Sequence, residues 1–558
     1  MKKVISIFLF LALGCPSLAQ NITVGEGVIE DYLRRQQLLG KLDSSYSFSF
    51  RPLTLTKNGL QTESTVFDKE DYFRNSFEIF KGLGNFTILP ARVHLQYDSH
   101  HPDSRNDGGM IRSKGLQTLV SAGFYAEFGP LSVQFQPELI KAQNKAFPGF
   151  PETHFENVWA SRYIWWNRMD EPERYGEDPY SKITSGQSSI RLNKWGLSLG
   201  LSSENLWWGP AIRNSIMMSN NAQGFPHITF NTQRPQKTFI GDFEWQFITG
   251  KLEASGFDPP NTDFLARQVQ LFVPKKNDDR YLQAFSFTYS PKWVKGLSLG
   301  ATRWIQQYFQ AVKDTKDFLP IISNVFRKND NNVLINEFER DQAASLSARW
   351  LWYDSKAEVY FEFAKNDAAF NLRDLLVDTD HSRAITFGMN KLFDLPSPDQ
   401  YIQFQFEWNQ TSQTESRLLR NALSWYMHAA VRHGYTNNGE VLGSALGPGG
   451  NAQYLEVSWV QDFKKIGGAI ERRVHNNDFL MEAFKDTSDF TRYWVDYNIY
   501  GYFNWRFQKF MLSSTIFYTL SMNYQWEMAL VPGSNPELFE PGIDANNFNL
   551  DLKLSYLF

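Results

Sequence analysis

Cysteine is almost absent from this sequence: one residue, Cys15, in 558. Two of the other gaps are as telling. There is no large excess of charge of either sign, the net value being -4 at pH 7, so the chain lacks the basic footprint of a nucleic-acid partner. No stretch after the first twenty residues approaches the apolar run that a membrane helix needs, and the mean hydropathy of -0.42 is that of a polar chain. Nor is there a repeat of blade length, which speaks against a propeller.

The one apolar run lies at the start. Lys2 and Lys3 precede Val4 to Leu13, too short to span a bilayer, and Ser17-Leu18-Ala19 has the small-x-small form of a cleavage site. Residues 1–19 are therefore expected to be a signal peptide. Cys15 lies within it, after a poor lipobox and before Pro16, so lipidation is not expected. Its removal leaves no disulfide and no thiol chemistry.

Aromatic residues, by contrast, make up 16% of the chain. Val28, Ile29, Tyr32, Leu33, Leu38 and Leu39 recur at helical spacing, which predicts a helix over Glu26 to Leu42. A second short helix is expected from Asp71 to Lys81. Residues 20–85 read as a small mixed region ahead of the main sheet, and residues 86–558 as strands.

In those strands apolar and polar residues alternate. Leu131, Val133 and Phe135 share one face, as do Phe239, Phe243, Trp245 and Phe247. Ile402, Phe404, Phe406 and Trp408 oppose Gln403, Gln405, Glu407 and Asn409. Val359, Phe361 and Phe363 oppose Glu358, Tyr360 and Glu362. A water-soluble sheet with one buried face has this pattern too. Aromatic ends and carboxylates on successive inner faces favour a large antiparallel transmembrane β-barrel with a wet lumen. The last strand alternates Leu550, Leu552, Leu554, Tyr556 and Phe558 with polar residues, resembling the signal read by barrel-assembly machinery. At roughly 26 residues per strand and connection, the chain holds ~18 strands. Connections are expected at Ile321 to Asn336, Asp374 to Ser382, Gly434 to Asn451 and Val531 to Asn546.

Most chemical motifs dissolve on inspection. Ser198 and Ser298 fit the nucleophile-elbow pattern but sit inside alternating strands, where that motif needs a strand-to-helix turn. Gly447-Pro-Gly-Gly450 is a turn. Asp98, His100, His101, Asp103 and Asp107 have no metal-ligand spacing and read as a solvated loop. Asp170, Glu171 and Glu173 do not by themselves make a glycosidase pair. No metal, cofactor or catalytic residue is expected.

The candidate site is the stretch from Gly196 to Pro235. Glu204, Asn205, Trp207, Trp208, Asn220, Asn221 and His227 combine hydrogen-bonding groups with ring faces, as a sugar site requires. Arg213 and Arg234 are suited to acidic sugars. Their structural alternative is a constriction packed with indoles. By strand parity Trp208 faces the lumen and Trp207 the lipid or the interfacial girdle.

Glu173-Arg-Tyr-Gly176, Ser203-Glu-Asn-Leu-Trp-Trp-Gly-Pro210, Ser219-Asn-Asn-Ala222, Gly224-Phe-Pro-His227, Arg234-Pro235 and Gly447-Pro-Gly449 resemble segments of the Wzi family of capsule assembly proteins. The resemblance implies an outer-membrane barrel with a small helical part on the periplasmic side. It also implies a lectin-like, non-enzymatic role holding capsular or another surface polysaccharide, with outer-membrane lipid around it and the assembly machinery engaged through Phe558. The alternatives are a porin and a hydrolytic barrel.

Overall fold

The structure, a computed structural model, describes residues 19–56, 76–79, 84–313, 340–366, 372–420, 422–485, 491–528 and 543–558. Its main sheet is an 18-strand antiparallel barrel. Closure is made by the last strand, Ala545–Tyr556, against the first long one, Gly84–Asp98, with Leu550 opposite Tyr97 and Leu554 opposite Val93. Two neighbouring wall strands are interrupted, Leu131–Phe135 with Glu138–Ala142 and Tyr180–Thr184 with Ser189–Lys194.

Alternation assigns the two faces as expected. On Tyr401–Gln410, Gln403, Gln405, Glu407 and Asn409 are buried in the lumen, and the aromatic residues between them face outward. Ile190, Leu199, Leu201, Ile228 and Phe230 stand exposed on the outer wall, a face that only an apolar surrounding satisfies. Trp195 and Trp293 are exposed in turns at one end, where Phe510, Tyr556 and Phe558 also pack together.

The two ends differ. At one, the connections are short, as at 129–130, 195–196, 353–356, 462–463 and 508–509. At the other they are long, including 99–114, 143–179, 203–226 and 411–450. The short-turn end is filled by helix α1 (Gly27–Leu38). Tyr32 packs on Phe463 with ring centroids 4.4 Å apart. The polar face of α1 is buried as well, because a barrel wall is polar inside. Arg34 Nε donates to Glu358 Oε1 at 2.6 Å, and Arg35 Nη2 donates to the Asp462 carbonyl at 2.7 Å. The helix stops at Leu38, four residues before the expected end.

The long-loop end folds inward over two helices that periodicity did not reveal. Helix α2 (Glu156–Trp166) is aromatic on most of its circumference and has no capping side chain. Helix α3 (Asn477–Phe484) is capped by Asn476, whose Oδ1 accepts from Phe479 N at 3.0 Å. The two pack together in a core that includes Trp159, Trp165, Trp166, Phe479 and Trp526. The Gly434 to Asn451 connection, expected as a polar loop at the barrel's end, is buried inside the lumen as a small hairpin and turns.

One expected helix is corrected. Ser76–Ile79, within Asp71 to Lys81, is a strand paired with Gly84 to Thr87. A hairpin onto the first wall strand satisfies its backbone groups, and the local helical pattern gives way to it. The rest of that segment lies outside the described residues, as do residues 1–18 with Cys15, the Ile321 to Asn336 connection and most of Val531 to Asn546.

Candidate functional site: two polar cavities inside the barrel

After Ser202 the chain leaves the barrel wall and enters the lumen. Trp207 and Trp208 pair with Arg51 and Phe50, so the N-terminal region and the 203–226 loop form one interlocked plug. Gly209, at φ +109°, makes the turn that follows. A Cβ there would lie 3.1 Å from both Glu362 Oε2 and Ser215 Oγ. Beyond the turn, Glu407 fixes Ile212 to Asn214. Its carboxylate accepts from the backbone N–H of Ile212, Arg213 and Asn214 at 2.8, 3.1 and 2.7 Å. The clamp aims Arg213 across the lumen at Tyr454, with the guanidinium 3.8 Å from the ring centroid.

The polar groups of the predicted site are largely engaged by the protein itself. Glu204 is fully buried and receives Arg191 Nη2 at 2.5 Å, Asn21 Nδ2 at 2.8 Å and Ser202 Oγ at 2.8 Å. Asn205 donates to Asn220 Oδ1 and the Ala222 carbonyl, and accepts from Gln187 and Gly224. Asn221 Nδ2 reaches the Val441 carbonyl at 3.0 Å. His227 Nδ1 lies 2.7 Å from the Phe225 carbonyl. Trp208 Nε1 donates to Gln246 Oε1 at 2.7 Å from a wholly buried ring.

Two expectations about placement are corrected. Trp207 is buried in the lumen under the Arg51 guanidinium, 4.8 Å from its ring centroid, and does not face lipid. Strand parity fails there because the residue is no longer in the wall. Arg234 is exposed beside Gly196, at the short-turn end of its strand, away from the other candidates. Of the predicted residues, Trp207, Arg213 and Asn220 line open space.

That space is a central cavity of about 260 Å³ between the plug and the wall strands Lys464–Val474 and Val495–Phe507, with Tyr500, Tyr502 and Arg473 on its wall side. A second cavity of about 150 Å³ lies toward the long-loop end, lined by Arg112, Arg162, Glu173, His475, Trp494 and Tyr524 among others. The two share Asp103, Ser104, Ala445, Leu446 and Arg473. An ion pair of 2.6 Å between Arg473 and Asp103 stands at this partition.

The outer cavity mixes aromatic surface with unsatisfied groups of both kinds. Trp494 stacks on His475 at 3.9 Å and is half-buried, with Tyr524 and Trp526 edge-on to it. Arg162 Nε and Trp526 Nε1 are buried donors, and Glu173 Oε2 and Gln525 Oε1 buried acceptors, without partners among the described residues. Burial raises the Glu173 carboxyl against the pull of Arg162. It also pushes the imidazole of His101 down to about 4, even beside Asp496. Glu440, under Arg112 at this end, is raised to about 7, burial outweighing the guanidinium.

The loop at Asp98 to Asp107 is corrected from solvated to enclosed, with Asp98 and His101 buried and the other residues half-buried. Asp98 pairs with Arg105, Asp103 with Arg473, and Asp107 accepts from Gln96 at 2.9 Å. Sequence reasoning missed Arg105, Arg162, Arg473 and Trp494. For Arg473 a signal existed: with Glu471 it has the inward parity of its strand, as do Tyr500 and Tyr502 on the neighbouring one.

The profile of the family described as capsule assembly protein Wzi matches residues 87–506. The chain belongs to the Wzi family. Among solved structures it is similar to Wzi of Escherichia coli, an outer-membrane protein involved in group 1 capsule assembly and described as a carbohydrate-binding β-barrel. The TM-score is 0.58 at 12% identity, over 96% of this chain and 99% of that one, a likeness of fold. OccAB2 of Acinetobacter baumannii also matches, at TM-score 0.40 and 8% identity over 84% of this chain and 97% of that one. No curated protein sequence matches.

Proposed function

We propose that this Wzi-family barrel sits in the outer membrane, exported by the signal peptide, and holds surface polysaccharide without cleaving it. Residues 20–85 are its small N-terminal periplasmic region with a helix, and residues 86–558 the barrel. The long-loop end faces outward, following the rule that such barrels carry short periplasmic turns and longer external loops. The glycan binds at the outer cavity, where rings supply apolar contact and unsatisfied donors and acceptors supply hydrogen bonds. Glu204, Asn205, Trp208, Asn221 and His227 hold the plug in shape. Trp207, Arg213 and Asn220 belong to the deeper cavity.

The observation that carries this reading is the filled lumen. Helix α1, the 203–226 loop and the buried 434–450 segment occupy the space a porin leaves open. Planar-bilayer conductance tests it together with a binding assay. The purified protein should give no steady open channel and should retain capsular polysaccharide from the cells that make it. A large steady conductance, or hydrolysis of the bound chain, overturns the proposal.

A further inference from the structure

We propose that the central cavity is a subsite for the anionic group of an acidic sugar residue. The inference rests on the glycan-holding reading and adds to it a chemical class of ligand. The two cavities differ in kind. In the outer one, unpartnered buried donors and acceptors are mixed. In the central one, among the described residues, they are almost all donors: Arg105 Nε and Nη1, Trp207 Nε1, Arg213 Nε and Arg473 Nε, against a single oxygen, Asn106 Oδ1. Lys553 lines the same space and makes no hydrogen bond or ion pair among the described residues.

The acidic side chains of the cavity do not answer these donors. Glu30 lies 3.2 Å from Arg51 Nε, and Asp103 holds Arg473 Nη1 at 2.6 Å. Glu471 accepts from Tyr500 at 2.6 Å and Asn498 at 3.1 Å, and stands 3.7 Å from Arg213 Nη2. Asp551 receives Gln96 Nε2 at 2.9 Å and lies 2.8 Å from His94 Nε2. Arginine stays charged at any physiological pH, so its spare N–H groups call for an acceptor, and an anionic oxygen makes the stronger bond. Like the outer cavity of about 150 Å³, the central one takes single residues of a chain and not a polymer segment: about 260 Å³ is below the range of ~300–1,000 Å³ for a drug-sized ligand. It suits one charged residue reaching in past the Asp103–Arg473 partition, with Tyr500, Tyr502 and Trp207 offering ring faces.

Calorimetric titration of the full-length protein in detergent with sodium glucuronate tests this, with glucose and inorganic phosphate as the other arms. Glucuronate should bind saturably and glucose at least about tenfold more weakly, the worth of one charge-assisted hydrogen bond. Arg213→Gln should weaken glucuronate about tenfold or more. Lys553→Gln should weaken it severalfold, and because Lys553 makes no hydrogen bond or close ion pair among the described residues, only a longer-range attraction to Asp551 and Glu30, the variant barrel stays folded. The proposal is overturned if glucuronate does not bind, if glucose binds equally, if phosphate displaces glucuronate at equal concentration, or if both variants bind as the parent does. Polysaccharide retention that persists without glucuronate binding overturns this subsite alone. Glucuronate binding without polysaccharide retention supports the subsite and counts against the glycan-holding reading.

Discussion

The plug segment around Trp207 and the cavity wall around Arg213 contain the same residue types and use them in opposite ways. In the plug, most polar side chains are matched, the Trp207 indole N–H toward the central cavity being an exception. Glu204 has three donors and Asn205 four partners, all from the protein. At the cavities, Arg105, Arg162, Arg213 and Arg473 keep N–H groups to spare. A buried polar group that is fully satisfied rigidifies, whereas one left short is a place for a ligand. Composition marks both regions alike; only the partner count separates structure from recognition.

That contrast breaks first at Glu204. Glu204→Ala leaves Arg191 buried without its carboxylate, and should cost about 3–5 kcal/mol. The loss is read as a lower urea midpoint for the refolded barrel and weaker heat-modifiable migration on gels. A variant that binds polysaccharide poorly at unchanged stability would return Glu204 to the ligand site.

Next in size is a dependence on acid. The folded pKa of His101 is about 4, below the ~6.5 of an unfolded chain. The unfolded state therefore binds more protons between those values, and the stability present above pH 6.5 is lost as the pH falls toward 4. The full window is worth on the order of 3 kcal/mol. Protease protection of the 99–114 loop should decline from pH 7 to pH 4.5, and His101→Gln should flatten the decline.

Smaller effects sharpen the outer cavity. Trp494→Ala removes one ring face and should weaken polysaccharide binding by about 1 kcal/mol, severalfold, with the barrel assembled as before. Smallest of all is Arg234→Ala. The side chain is exposed at the short-turn end, so stability should move by less than about 0.5 kcal/mol and polysaccharide binding not at all.

How much of this was legible beforehand follows the same division. Wall strands obey period two because one face meets lipid and the other the lumen, so Tyr401–Gln410 and the closing strand could be read residue by residue. Parity ended where the chain left the wall, which is why Trp207 was set on the wrong side. Helix α2 escaped notice because Trp159, Tyr163, Trp165 and Trp166 give it no polar stripe to define a period. The cavities were invisible for a different reason. Arg105, Arg162, Arg213 and Arg473 come from separate parts of the chain, and whether each has a spare N–H depends on partners far away in sequence.

The central claim is that polysaccharide is held by the cavity side chains and not by the wholly buried Trp208. The most direct measurement compares polysaccharide bound per assembled barrel in Trp494→Ala and in Trp208→Phe, which keeps an aromatic ring but loses the bond to Gln246. Binding should fall severalfold in Trp494→Ala and stay at the parent level in Trp208→Phe. The reverse order would contradict the account.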